Sequence, residues 1–575
     1  MKSAQHDQQA GTRGQHDAEV DVLIIGGGIA GLTLAIQLLR ARPTLDVMIA
    51  ERLPHPVAEA AHKVGESSVE MQAHYLRTVL GLQEHLDGEQ LHKFGLRMFI
   101  THGDNTDIAR RVEYGQITHA PLPAYQIDRG RLENYLAKKA ADLGAIFLSG
   151  RQVRDIQLRP EAERHHATIQ GESHLVEVSP RWIVDASGRA SVLKRKLGLQ
   201  RPVSHQMNAS WLRIDTEIDV ETWSDDPDWR RRVPCGLRRL STNHLMGHGY
   251  WVWLIPLSSG ATSIGIVADP RIHPHSGFNT LDKALGWLAD HEPQCAEAIR
   301  HDLGRVLDFR VMANYAYSAQ QVYSADRWCL TGEAGVSIDP LYSSGGDLMG
   351  ISNGLVTDLI INALDGGQDR ALIHNQVYLL LSQIWLVAYE DQYPVLGNAR
   401  VIVAKVIWDT IIYWAVPGLL YFHDRLRYLS EDLESLAALY RTWEVHTRIQ
   451  QFFREWNAVD SATACNVFAD PYSLMDILID LHTGMDAGLP PAELAAQVAK
   501  NVALLEQLAG QLFAVVSARL EASPSAEART QARAWRTETM SAELIKKYRK
   551  LNEANPIDPS WISLGTRAET AAEAG

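Results

Sequence analysis

Three features of the chain predict an α/β fold: a doubly wound parallel sheet, a second sheet inserted into it, and a mostly helical C-terminal region. The first is a short apolar run, Asp21-Val22-Leu23-Ile24-Ile25, followed at once by Gly26-Gly27-Gly28-Ile29-Ala30-Gly31 and a helically spaced stretch, Leu32 to Leu39. The second is the alternation of short strands, helices and turns from about residue 20 to 370. The third is the change beyond residue 371, where strand-like alternation fades and long helical stretches appear at Leu494 to Leu520 and Ala526 to Leu551.

Each element follows from its residues. The first run suits a strand buried on both faces. In the turn, Gly26, Gly28 and Gly31 permit a tight bend, close backbone approach to a pyrophosphate and close packing of helix on strand, with Ala30 beside them. A second strand, Asp46 to Ala50, ends at Glu51, twenty residues after Gly31, where an acid can accept hydrogen bonds from ribose hydroxyls; Arg52 follows it. The bound group is thus a dinucleotide, its phosphates on a helix N-terminus. Two later strands, Trp182-Ile183-Val184 and Trp328-Cys329-Leu330, lead into Asp185-Ala186-Ser187-Gly188-Arg189 and Thr331-Gly332-Glu333-Ala334-Gly335.

Those two turns resemble the later FAD signatures of the para-hydroxybenzoate hydroxylase family, with Asp185, Gly332 and Glu333 as the implied contacts. Glu333 stands where that family usually has Asp, so its implied ribityl contact is one methylene longer. Tyr125-Gln126-Ile127-Asp128-Arg129, before a helical run, resembles the segment holding the flavin from its other side; the plain alternative for Arg129 is a solvated helix-start residue.

The 575 residues exceed what one core usually serves, so at least two lobes are expected: a tail over 1–19, an FAD-binding domain with its inserted substrate-binding sheet over 20–370, and a helical region or lid over 371–575. Hydrophobic content of 46% and charged content of 22% are ordinary for a globular chain. A net charge of −14 disfavours nucleic acid as a partner, since phosphate binding needs a basic surface. Cys235, Cys295, Cys329 and Cys465 are widely spaced, form no metal-ligand cluster and suggest a reduced cytoplasm. No transmembrane segment is expected. The most apolar stretch, Val401 to Phe422, is interrupted by Lys405, Asp409 and Pro417 and reads as a buried helix or a lid near the substrate, with a membrane-surface role as the alternative.

Further motifs narrow the chemistry. Trp251-Val252-Trp253-Leu254-Ile255-Pro256 resembles the WxWxIP motif of the flavin-dependent halogenases; otherwise it is a strand whose tryptophans fill a core. Gly65-Glu66-Ser67-Ser68 resembles their GES segment, though Glu70 replaces its usual proline, and Asp339-Pro340-Leu341-Tyr342-Ser343-Ser344-Gly345 resembles their DPLxSxG loop.

This resemblance implies that reduced FAD, O2 and a halide generate hypohalous acid, which travels through a tunnel to a lysine. Lys93, twenty-eight residues after Gly65 at the expected start of a strand, fits that position, with Phe94, Leu96 and Phe99 as the apolar surroundings that lower an amine's pKa; the alternative is a solvated edge-strand lysine. It further implies halide on the backbone N–H groups of Ser344 and Gly345, flavin contacts from Gly65, Glu66, Ser67 and Pro340, and a tunnel walled by Trp251, Trp253 and Pro256.

Tryptophan halogenases carry Glu where this chain has Tyr342. The likeness is therefore closer to the phenol and pyrrole branch, whose electron-rich rings deprotonate at their own heteroatom and need a dedicated carboxylate less. The expected substrate is an aromatic small molecule of secondary metabolism, free or tethered to an acyl carrier protein, with a separate flavin reductase as partner. The alternatives are an aromatic hydroxylase or dehydrogenase of the same fold, or a non-enzymatic flavin-binding scaffold.

Overall fold

The computed structural model describes residues 18–59, 63–171, 175–460, 464–473 and 475–562. The expected tail over 1–19 lies almost wholly outside them, as does the extreme C-terminus. A first sheet runs in the order Tyr323–Ser324, Trp328–Leu330, Leu175–Asp185, Ala18–Ile25, Val47–Glu51, Ile146–Ser149. From Trp328–Leu330 to Ile146–Ser149 the strands pair in parallel. Ala18–Ile25 is buried over its last four residues, as a strand covered on both faces requires.

The register aligns the carboxyl ends of these strands. Gly26 N donates to Ala50 O, Ala186 N to Ile25 O, and Thr331 N to Asp185 O, at 2.9 Å in each case. Three turns that are far apart in sequence therefore open into one crevice, where ligands bind in doubly wound sheets.

The second sheet is mostly antiparallel: Val306–Met312, Asn208–Ile214, Thr262–Ala268, Tyr250–Pro256, Thr242–Gly247, Leu96–Ile100, Val112–Tyr114 and Phe468–Ala469. Alternation along Tyr250–Pro256 divides its side chains between two cores. Trp251, Trp253 and Ile255 join the main core, whereas Tyr250, Val252 and Leu254 join a smaller one packed with residues of the helices Leu281–His291 and Pro293–Arg300. Phe468–Ala469 extends this sheet from within the C-terminal region, an edge strand that its short sequence did not reveal.

The helical region includes Ala371–Val387, Ala399–Tyr413, Leu433–Val459, Asp476–Gly484, Pro491–Glu521, Ala526–Thr537 and Thr539–Ala554. The stretch expected from Ala526 to Leu551 is two helices, because Glu538 is extended between them and its carboxylate accepts from Arg448 at 2.6 Å. Asn398 caps Ala399–Tyr413 by accepting from Arg400 N and Val401 N. Further along, Pro417 lacks an N–H, and the chain widens into a π-turn over Trp414–Gly418 before Leu419–Phe422.

By length and composition, Ala399–Phe422 and Pro491–Glu521 are each apolar enough to cross a membrane. The most apolar window of the first is 89% buried inside the molecule, so this is a core helix of the fold.

Candidate functional site

The glycine turn has the shape a dinucleotide needs. Gly26 adopts φ +109°, and a Cβ there would lie 2.4 Å from Ala186 O; one on Gly31 would lie 2.0 Å from Gly26 O. At Gly28 a Cβ would meet nothing within 4 Å, so the backbone faces open space where a pyrophosphate fits. The helix Ile29–Ala41 starts there without a side-chain cap. Glu51 accepts from Gly27 N at 2.6 Å and from Leu53 N at 2.7 Å, which fixes the carboxylate at the crevice edge with a lone pair left on each oxygen. Arg52 is exposed beside it.

The later turns are placed differently from one another. Gly332, at φ +57°, packs so closely that its Cβ would sit 2.9 Å from the Ala30 methyl, which brings the third signature onto the first. Glu333 is exposed at that edge. Asp185 is fully buried and bonds its own turn, accepting from Ser187 N at 2.9 Å and Leu193 N at 2.7 Å.

The GES segment meets Arg129. Gly65 has φ +90°, and a Cβ there would lie 2.7 Å from Arg129 Nη1, which donates to Val64 O while Nη2 donates to Glu133 at 2.7 Å. Glu66 is buried and receives Arg213 Nε at 2.6 Å. Burial pushes its carboxyl up, against the pull of Arg213.

Lys93 follows the two-residue strand Leu91–His92 rather than starting the longer strand Leu96–Ile100. It is 5% exposed, and its Nζ donates to Ser67 Oγ and to Ser68 O, both at 2.8 Å. Burial pushes the ammonium down to about 8, opposed by the charges of Glu70 and Asp347. Leu96 shares its cavity and Phe94 is buried next to it, but Phe99 points to the smaller core, because strand alternation sends it through the other face.

The cavity onto which Lys93 opens has a volume of about 450 Å³. It lies between the second sheet and the helical region. Tyr342, Trp385, Tyr389, Tyr413, Trp414 and Tyr472 give it an aromatic lining, with Glu70 and Asp409 as its carboxylates. Tyr413 and Trp414 belong to the Val401 to Phe422 stretch, so that segment is both buried and a wall of the cavity.

The loop from Asp339 to Gly345 joins this cavity to the tryptophan strand. Asp339 Oδ2 lies 2.7 Å from each of His205 Nε2, Tyr315 Oη and Tyr393 Oη, and Oδ1 accepts from Leu341 N at 3.0 Å. Burial raises this carboxyl, but the bond and charge of His205 prevail and hold it below its usual range. Trp251 Nε1 donates to Tyr393 Oη at 2.9 Å, and Trp253 Nε1 donates to Ser263 Oγ at 3.1 Å. The rings of Trp251 and Trp253 lie 5.7 Å apart. Neither lines the 450 Å³ cavity; they stand behind the loop, with Pro256 buried at the strand end and Pro340 exposed on the loop.

Ser343, at φ +59°, donates to Ser67 Oγ at 3.0 Å. Ser344 is buried and donates to Asp339 O at 3.2 Å. Gly345 opens the helix Gly345–Leu364, which has no side-chain cap, and a Cβ on it would meet nothing within 4 Å.

Sequence reasoning missed His205, Tyr315 and Tyr393, whose scattered positions carry no local signal. It also missed Asp409 as a site residue, although a signal existed. Lys405 and Asp409 are four apart in an apolar run, and such charges on one helix face are tolerated in a core chiefly as a pair. They are that pair, at 2.5 Å.

Residues 19–239 match the family described as FAD binding domain. The flavin-dependent halogenase chlA of Dictyostelium discoideum is 28% identical over 429 residues, covering 69% of this chain and 70% of that protein. A chlorinase of 1H-pyrrole-2-carbonyl on a peptidyl-carrier protein, from Pseudomonas fluorescens, is 27% identical over 349 residues, covering 57% and 73%. In fold, halogenase PltM superposes with a TM-score of 0.59 at 19% identity over 95% of this chain and 99% of that one. A flavoprotein/dehydrogenase from Cytophaga hutchinsonii does so with 0.55 at 22% identity over 67% and 88%. With an FAD binding domain over residues 19–239 and flavin-dependent halogenases among the proteins it resembles, the chain is an FAD-using oxidoreductase similar to the flavin-dependent halogenases.

Proposed function

We propose that the protein halogenates an electron-rich aromatic, a phenol or a pyrrole, by hypohalous acid that Lys93 receives and aims. FAD, bound as its reduced form with O2 and a halide, supplies that oxidant. The observation that carries the reading is the position of Lys93, a buried amine on the wall of an aromatic cavity, tied through Ser67 to the loop that begins the Gly345–Leu364 helix.

An amine near 8 is neutral for part of the time at neutral pH, as a haloamine requires, and in its charged form donates a hydrogen bond to the oxidant. The unsubstituted amides at Ser344 and Gly345 form the anion site for halide. Gly26, Gly28, Ala30, Gly31 and Glu51 hold the pyrophosphate and ribose. Gly65, Glu66, Ser67, Arg129, Gly332, Glu333 and Pro340 would hold the rest of the cofactor, with Arg52 next to Glu51 as a further contact and Asp185 fixing its own turn by accepting from Ser187 N and Leu193 N. Trp251, Trp253 and Pro256 keep water from crossing between the cofactor and the cavity, which prevents loss of the oxidant.

A free substrate and one carried on an acyl carrier protein both fit this reading, and the pyrrole chlorinase among the relatives favours testing the tethered form. A separate reductase supplies the reduced cofactor, and the cytoplasm supplies the reducing setting.

The test is to supply reduced FAD, O2 and bromide with a phenol, a pyrrole and tryptophan, and to weigh the products. A mass gain of bromine on the phenol or pyrrole supports the reading. Gain of oxygen without halide dependence makes the protein a hydroxylase.

A further inference from the structure

The sequence places no carboxylate in the loop beside the substrate, yet the fold brings one there. Tyr342 donates to Asp409 Oδ2 at 2.9 Å, although 67 residues separate them. Lys405 Nζ donates to the same oxygen at 2.5 Å and to Ala388 O at 2.8 Å, while Gln450 Nε2 donates to Oδ1 at 2.6 Å. Asp409 is 8% exposed, and that exposure is to the 450 Å³ cavity that also holds Lys93. Oδ1, with one donor in place, has a lone pair left for a hydroxyl or N–H in the cavity.

We propose that Asp409 is the group that accepts the heteroatom proton of the aromatic substrate during halogenation. This rests on the function proposed above and names a residue for a step that the loop itself cannot perform.

The other titratable groups of the cavity serve less well: His92 pairs with Asp87 at 3.2 Å, burial pushes the His119 imidazole down, and it raises Tyr413 and Tyr472. His446 Nδ1 already accepts the indole N–H of Trp408 at 3.0 Å, and burial pushes the imidazole down to about 3, so it is a weak base with one nitrogen occupied. Burial raises Tyr114, Tyr342 and Tyr389, which stay protonated. Glu70 is paired with His482 at 3.3 Å, and although burial raises its carboxyl, the histidine's bond and charge win and hold it below its usual value. For Asp409 burial wins over Lys405, and the carboxyl lies above its usual value, which makes it the stronger base. Arg454 adds only a distant positive charge, felt by Lys405.

The step balances. The substrate O–H or N–H bond breaks, its electron pair stays on the heteroatom, and Asp409 becomes a carboxylic acid. A ring π pair forms the carbon–halogen bond as the halogen–oxygen bond of hypohalous acid breaks, leaving hydroxide. That hydroxide takes the proton back from Asp409 as water, and the ring C–H proton moves to the heteroatom as aromaticity returns.

The experiment measures kcat/KM for bromination at about pH 8 over a series from a phenol of pKa about 10 to fluorophenols that are ionised in solution. It compares the wild type, Asp409→Asn and the paired Lys405→Met/Asp409→Asn, each loaded with FAD. The paired variant removes both buried charges, and it is the one read if the single variant fails to fold. The variants should lose about a hundredfold on the ordinary phenol and recover toward the wild-type rate as the phenol becomes more acidic. An equal loss across the series, or no loss anywhere, overturns the assignment of Asp409 alone. Absence of halogenation by the wild type overturns both this assignment and the function on which it rests.

Discussion

Lys93 Nζ donates to Ser67 Oγ at 2.8 Å, and Ser67 Oγ also accepts from Ser343 Oγ at 3.0 Å and lies 2.8 Å from Thr242 Oγ1. One serine hydroxyl thus has both lone pairs and its proton engaged. A lysine just after the short strand Leu91–His92, the GES segment and the Asp339 to Gly345 loop are locked into one geometry. Buried networks of this kind hold a reactive group in place only while every member is satisfied.

Replacing Lys93 by Met should abolish halogenation while the cofactor still consumes O2 and releases peroxide. The variant should stay folded, because an apolar side chain replaces a buried cation. Halogenated product at the wild-type rate would remove Lys93 from the reaction.

The same residue predicts a pH signature. Lys93 is near 8 in the folded protein against 10.5 unfolded, so between these values the unfolded chain binds more protons. Stability from this group therefore rises as pH rises from about 8 to 10.5, by on the order of 3 kcal/mol in all. Denaturant unfolding across that window should show the slope in the wild type and less of it in Lys93→Met. Halogenation should rise with pH along a limb near 8 if the neutral amine carries the halogen.

Gly28→Val should lose FAD without losing the fold, since its Cβ enters open space, whereas Gly31→Ala should disturb the turn itself, its Cβ lying 2.0 Å from Gly26 O. Flavin absorbance after gel filtration and thermal melting separate the two effects. Full flavin retention by Gly28→Val would show that the pyrophosphate lies elsewhere.

Asp339→Asn leaves His205, Tyr315 and Tyr393 converging on a neutral amide. A loss of about 3–5 kcal/mol is expected from breaking a buried charged network. Trp251→Phe removes one donor to Tyr393 and should cost less, about 1–3 kcal/mol. Urea unfolding orders the two, and the reverse order would show that the tryptophan, not the aspartate, anchors the loop.

If Ser344 and Gly345 form the proposed halide site, product formation should saturate with bromide or chloride as that one site fills. Bromide titration with a phenol reads this directly. Rates that rise without limit with halide would argue against a built site.

The sequence by itself determined the parts whose physics is local. A strand, three spaced glycines and a helix specify a phosphate-binding turn because backbone conformation and close approach depend on neighbouring residues alone. In the same way, Trp251 and Trp253 share a face because a strand alternates with period two. Lys93 was singled out by the resemblance, and its apolar neighbours left a closed site open beside a solvated strand edge; the structure decided for burial, on the wall of a cavity that Tyr413 and Trp414 of a distant helical segment also line. Only the tertiary structure decided the chemistry of the cavity wall. Tyr342 implied a site without a carboxylate, and the fold supplied Asp409 at 2.9 Å from a helix 67 residues away, already paired with Lys405. A charge at that depth is stable only beside its partners, and which partners meet is settled by helix packing against the loop, a long-range arrangement that no local spacing encodes.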